Sequence, residues 1–210
     1  MLDMSIPYEG TGRTQQKART RKALVEAALE LLAKGPPPTV EEAADAAGVS
    51  RTTAYRYFPN QRALLVATFP EVAATSLLPS PPPDDPAARL EAVTEALTRQ
   101  VVEHEPELRA QLRLSLEPHD GDRRDLPYRT GRAIGWIEEA LAPLQGQLTQ
   151  PALRRLVLAV RCAVGIEALV WLTDIARLSR EEAVEVMRWA PRALLRSALA
   201  DHAASNRATG

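Results

Sequence analysis

The chain has 210 residues, 45% of them apolar and 25% charged, with a formal net charge of -1, which excludes a disordered or fibrous protein and leaves no global basic field to announce nucleic acid. Its length suits a small domain fused to a larger one. A lone cysteine, Cys162, excludes an internal disulfide, and no uninterrupted apolar run reaches the roughly 18 residues of a membrane span, so no membrane association and a reducing, cytoplasmic setting are expected.

Residues 1–12, with Pro7, Gly10 and Gly12, read as a flexible arm. From Thr14 to Lys34 the spacing of Leu24, Ala28 and Leu31 predicts an amphipathic helix, and the ten residues 13–22 hold five cations, Arg13, Lys17, Arg19, Arg21 and Lys22, with no acid among them. Gly35 and the prolines at 36–38 stop it. Thr39 with Glu42 three residues on is a capping-box pair that starts a second helix through Ala47. Gly48 supplies a residue suited to positive φ, and Ser50 can cap a third helix to about Phe58. A fourth is predicted from Gln61 to about Ser76, kinked at Pro70.

The stretch LLPSPPPDDP, residues 77–86, marks the linker, because so many prolines leave no room for a packed helix. Asp85 and Pro86 then form an N-cap and first-turn pair for a helix through Glu103. A short helix over Pro106–Glu117, a polar loop over 118–125, a helix over Tyr128–Ala142 and a turn at Gly146–Thr149 follow. Two long helices are expected to close the chain, Pro151–Leu178 and Arg180 to about Ala203, with a second capping box at Ser179 and Glu182. With no strand-like alternation, the fold class is all-α.

Two short helices joined by a tight turn at Gly48 are the parts of a helix-turn-helix, whose second helix can enter the major groove of DNA. On that helix Ala54 and Phe58 are spaced to face a core. Arg51 with Tyr55, and Thr52 with Arg56, form two outward ridges. Arg can bond guanine edges, Thr a base or a thymine methyl, and Tyr a phosphate oxygen. A bland reading, in which the arginines are solvated and the aromatics merely core, is outweighed by the ordering of cap, turn, basic face and preceding basic helix.

Residues 13–69 resemble the DNA-binding domain of the TetR family of bacterial regulators. The resemblance rests on Thr20, Arg21, Leu24, Ala27, Ala28, Thr39, Ala47-Gly48-Val49-Ser50, Thr53, Tyr55, Tyr57-Phe58 and Leu64. It implies base readout by Arg51, Thr52, Thr53, Tyr55 and Arg56, and positioning of phosphates by Thr39 and Tyr57. The family usually has a larger aliphatic residue where this chain has Ala54, and often a lysine where it has Gln61; Arg62 is expected to take over that phosphate contact.

The predicted domains are a flexible arm over 1–12, a helix-turn-helix domain over 13–69, a helix end and Pro-rich linker over 70–86, and an effector-binding and dimerisation domain over 87–210. The segment from Leu156 to Ile175 is apolar nearly all round, so both its sides need cover, one from the domain core and one from a second subunit, with Gly165 permitting close approach. A homodimer would place two recognition helices about 34–36 Å apart on a near-palindromic double-stranded operator. The resemblance further implies a small-molecule effector that releases a repressor from its operator. Trp136, Cys162, Glu167 and Trp171 are candidate contacts, although ordinary core packing or surface pairing is the commoner fate of each.

No cofactor, metal site or catalytic residue is expected: His104, His119 and His202 stand apart without partners at metal-ligand spacing, and no phosphate loop or nucleophile elbow occurs. The alternatives are an architectural or weakly specific DNA-binding protein, a helical enzyme without a recognisable motif, or a regulator whose effector is a polypeptide.

Overall fold

The computed structural model describes residues 8–69, 74–116 and 131–209, and among them it is all-α. Ten α-helices run in the order α1 (Tyr8–Lys34), α2 (Val40–Ala46), α3 (Arg51–Tyr57), α4 (Gln61–Ala67), α5 (Pro86–Glu103), α6 (Glu105–Leu116), α7 (Arg132–Ala140), α8 (Gln150–Ala163), α9 (Ile166–Val170) and α10 (Arg180–Thr209). The chain divides into two compact units, Met1–Pro70 with Arg113–Tyr128, and Glu71–Leu112 with Arg129–Gly210.

In the first unit, Leu24 and Ala28 of α1, Val40, Ala43 and Ala44 of α2, Ala54 and Phe58 around α3, and Leu64 of α4 form one buried cluster. Ala43, Ala44 and Ala54 have no exposed surface, and their small side chains let α2 and α3 approach closely. α1 starts at Tyr8, so residues 8–12, expected within an arm, are helical backbone; 1–7 lie outside the described residues. α4 ends at Ala67 instead of running on to Ser76. Its C-cap Thr68 turns its hydroxyl to the Leu65 carbonyl, and a proline two residues on can neither donate a hydrogen bond nor favour helix in the residue before it.

The second unit begins with a segment that is less of a free linker than its prolines suggest. Leu77 and Leu78 pack against a core of Leu90, Val93, Leu97, Trp136, Ile137, Leu141, Leu153, Leu156 and Val160. α5 starts where its cap dictates, with Asp85 accepting from the Ala87 and Ala88 amides. Arg89 then reaches across to the last carbonyls of α7, 2.9 Å from that of Glu139 and 3.1 Å from that of Ala140, occupying acceptors that a helix end leaves without intrahelical partners. The predicted loop at 118–125 lies outside the described residues, as do 128–130 of the expected helix over 128–142, whose described part spans 132–140 and is followed by a 3₁₀ turn over Ala142–Leu144.

The expected continuous helix from Pro151 to Leu178 is broken. α8 ends at Ala163, and the segment Ile166–Ile175, whose last five residues form a π turn, leaves at 47° to it. Gly165, expected to admit a neighbouring helix, lies at the break, where its ψ of 173° is extended. A Cβ there would collide with the Arg161 guanidinium and the Glu167 carboxylate, which pair across the bend at 3.5 Å. The longest helices are therefore α1 and α10, with 27 and 30 residues. A smaller cluster of Val101, Ile166, Leu169, Leu172, Ala183 and Met187 packs α9 against α5 and α10. Among the described residues no single helix is long and apolar enough to cross a membrane.

Candidate nucleic-acid interface

The two short helices are set by their caps. Thr39 and Glu42 form the expected box: the Glu42 carboxylate accepts from the Thr39 amide at 2.7 Å and from its hydroxyl at 2.9 Å, while the Glu42 amide donates back at 3.2 Å. These bonds, the backbone amide first and the hydroxyl second, hold the Glu42 carboxyl below its ordinary pKa. α2 ends at Ala46 with Ala47 as its C-cap, and Gly48 takes a φ of 65°, letting the Val49 amide reach back to the Ala44 carbonyl at 2.9 Å. Ser50 caps α3 by accepting from the Thr53 amide, and the Ser50 and Thr53 hydroxyls share a 2.9 Å bond.

Nothing lies within 4 Å of a Cβ built on Gly48, so a side chain there meets only the left-handed backbone. Gly48→Ala should cost about 1–2 kcal/mol, read as a lower urea midpoint with an unchanged m-value.

α3 turns Ala54, and Phe58 just beyond it, into the core and leaves Arg51, Thr52, Tyr55 and Arg56 exposed. Thr53 and Tyr57 are half-buried, the first tied to its own cap and the second packed on the cluster around Leu24. The four outward residues thus share one face of a helix held from behind. Two of them contact acids of α2. Arg51 lies 3.4 Å from Asp45, and the Tyr55 hydroxyl donates to Glu41. That bond is the main cause of a lowered pKa at Glu41 and a raised one at Tyr55.

Thr39 sits exposed at the start of α2 with its hydroxyl proton on Glu42. Arg62 is half-buried, and its guanidinium lies 3.4 Å from the Leu114 carbonyl. Its neighbour Gln61 donates to the carbonyls of Pro37 and Pro38, at 2.9 and 3.1 Å, which secures the proline run leading into α2. Upstream, Lys17, Arg19, Arg21 and Lys22 are exposed, and the Arg21 guanidinium stands 5.5 Å over the Phe58 ring. Sequence reasoning missed Glu41, the Arg21–Phe58 contact and the bonds from Gln61 to the proline run. Glu41 offered one signal, a second acid beside the capping Glu42, but its pairing with Tyr55 spans 14 residues.

The four candidate effector contacts differ in exposure. Trp136 is a core residue of the second unit, its indole N–H 3.3 Å from the Thr75 carbonyl. Cys162 and Trp171 are exposed, and Glu167 is half-buried beside Arg161.

Residues 24–68 match the family model described as bacterial regulatory proteins, tetR family. Over 51 residues the chain is 43% identical to the HTH-type transcriptional repressor LfrR of Mycolicibacterium smegmatis, a match covering 24% of this chain and 27% of that relative. Among solved structures, HlyIIR, a hemolysin II transcriptional regulator, shares the fold at a TM-score of 0.50 and 16% identity, over 80% of this chain and 97% of its own. A TetR transcriptional regulator from Rhodococcus sp. RHA1 aligns at a TM-score of 0.46 and 23% identity, over 86% and 97% of the two chains.

Proposed function

We propose that this chain, whose residues 24–68 form a DNA-binding domain of the tetR family, is a sequence-specific transcriptional repressor that grips a near-palindromic operator as a homodimer and leaves it when a small molecule binds its C-terminal unit. The observation that carries the reading is the outward face of α3. Arg51, Thr52, Tyr55 and Arg56 are exposed together on a helix fixed by Ala54 and Phe58, the arrangement that base readout in a major groove requires. The reading places the protein in the cytoplasm and gives it no catalytic step, cofactor or metal. It is tested by selecting bound fragments from random duplex DNA at one stated salt concentration. A palindromic motif is the expected result; unselected sequence would favour an architectural role instead.

Dimerisation is supported by what the second unit leaves uncovered. Leu158 on α8, Trp171 and Ile175 after α9, and Val186, Trp189 and Leu199 on α10 are large apolar side chains between 38% and 67% exposed. α8 and α10 pack against each other, and exposed apolar side chains on neighbouring helices are what a second subunit would cover. Trp189→Glu should convert a dimer into a monomer in solution at micromolar concentration, measured by light scattering, with secondary structure unchanged. A wild-type protein that is already monomeric there would count against the homodimer.

Release by an effector requires that the ligand bind one arrangement of the dimer more tightly than the other. Of the expected contacts Trp136 is the most enclosed, at 7% exposure, which makes its fluorescence the natural reporter of effector binding.

A further inference from the structure

We propose that Glu41 determines which base the recognition helix reads at one position: by taking the hydroxyl proton of Tyr55 it leaves Tyr55 a hydrogen-bond acceptor toward DNA, matched to a major-groove amino group, adenine N6 or cytosine N4. The proposal rests on the regulator reading above and deepens it.

A phenol carries one proton and can accept through its oxygen. In this structure that proton goes to the Glu41 carboxylate. Phosphate oxygens only accept, as do guanine N7 and O6 and thymine O4; the donors on the major-groove edge are the amino groups of adenine and cytosine. With its proton committed, Tyr55 has nothing to offer a phosphate and one good partner among base edges. Arg51 is the contrasting case, because a guanidinium has five N–H donors. One faces Asp45 at 3.4 Å, and those that remain can address a guanine.

The pairing is held from both sides. Val40, Ala43 and Ala44 bury α2 on either side of Glu41, Ala54 and Phe58 anchor the helix that bears Tyr55, and the Tyr55 side chain is still 41% exposed to whatever approaches. Glu41 is ionised at neutral pH, as glutamates ordinarily are, and accepts the Tyr55 hydroxyl as a carboxylate. Glu41 is thus a positioning residue, acting on DNA through Tyr55.

The test uses full-length protein and selection from random duplex DNA, for the wild type, Tyr55→Phe, Glu41→Ala and the double variant. Tyr55→Phe should lose the preference for adenine or cytosine at one position of each half-site, by roughly five- to tenfold, and leave other positions intact. Glu41→Ala should relax the same position, and the double variant should be no worse than Tyr55→Phe alone. A merely structural Glu41 would weaken every position alike. Uniform weakening by Tyr55→Phe, which is the signature of a phosphate contact, overturns the proposal, as does a Glu41→Ala variant that keeps the wild-type motif, weakens every position or alters another one. A wild type that enriches no motif overturns the regulator reading and this proposal with it. A wild-type motif accompanied by any of those contrary variant results overturns this proposal alone.

Discussion

Arg51→Ala and Arg56→Ala should each weaken binding to the selected operator by about 1–3 kcal/mol, roughly five- to 150-fold, and relax the base preference at one position of each half-site. Both guanidinium groups lie on the exposed face of α3, whose buried face is Ala54, so truncating them removes bonds to DNA without opening the core. Arg51 contributes little to folding, because its pair with Asp45 is about two-thirds exposed on both sides, and such pairs are worth about 0–1 kcal/mol. The thermal midpoint should therefore hardly move while affinity falls. Titration at two salt concentrations separates the two roles an arginine can have on DNA. If Arg51 bonds a base edge, its removal lowers affinity for the operator and spares random duplex. If it bonds a phosphate, its removal weakens both and flattens the salt dependence. Equal weakening on operator and random DNA for both variants would mean that α3 does not read bases.

The largest effect on stability is expected at Arg109→Leu. Arg109 donates to Glu105 at 2.7 Å and to both oxygens of Asp174, at 2.7 and 2.9 Å, while Arg180 donates to the other oxygen of Glu105 at 2.8 Å. Glu105 is buried, with 7% of its side chain exposed, so the substitution leaves a buried carboxylate with one cation in place of two. Breaking a buried pair costs about 3–5 kcal/mol. Since Arg180 remains and Asp174 is 45% exposed, about 2–3 kcal/mol is the expected loss here, or roughly 5–10 °C in Tm. Arg109→Lys keeps the charge but lacks the planar fork that grips both Asp174 oxygens, and should fall between the two.

The acid limb of the stability curve checks the same network. The hydrogen bond from Arg109, supported by Thr173, lowers the Asp174 carboxyl to about 2 from an ordinary 3.8. At Glu105, burial pushes the pKa up, and the bonds from Arg180 and Arg109 outweigh it, leaving it lowered. Groups depressed on folding stabilise the native state above their unfolded values and lose that contribution as pH falls through the folded ones. The difference between wild type and Arg109→Leu should accordingly narrow between about pH 4 and pH 2. A constant difference across that window would mean that Arg109 acts through packing of its stem.

Legibility from sequence followed the range of the interaction. Caps were legible because each is closed within three residues: Thr39 with Glu42, Ser50 with Thr53, Asp85 with Ala88, and Ser179 with Glu182 all form where the pattern put them. The outward face of α3 was legible for a similar reason, since helical periodicity alone sends Ala54 one way and Arg51, Tyr55 and Arg56 the other. Which acid each outward residue meets was not, because the Glu41–Tyr55 bond depends on how α2 packs against α3. The bend after α8 was misread because an apolar run around Gly165 looks continuous in hydropathy. Glycine's helix penalty of about 1 kcal/mol is too small to announce a break by itself, and the Arg161–Glu167 pair that spans the bend is visible only in the folded chain.

What the sequence determined by itself, then, is local: an all-α chain, the start of each capped helix, the left-handed turn at Gly48, and a basic, aromatic face on α3. These follow from backbone donors and acceptors satisfied within a turn or two, and from a 3.6-residue period that no distant contact needs to set. The tertiary structure decided the rest. It folded the Pro-rich stretch onto the core through Leu77 and Leu78. It joined Arg109 to Asp174 across 65 residues and placed Trp136 inside while Trp171 and Trp189 face out. Each of these depends on which apolar faces meet and which charges are brought together when they do, a choice made by burial over the whole unit and invisible in any one stretch of the chain.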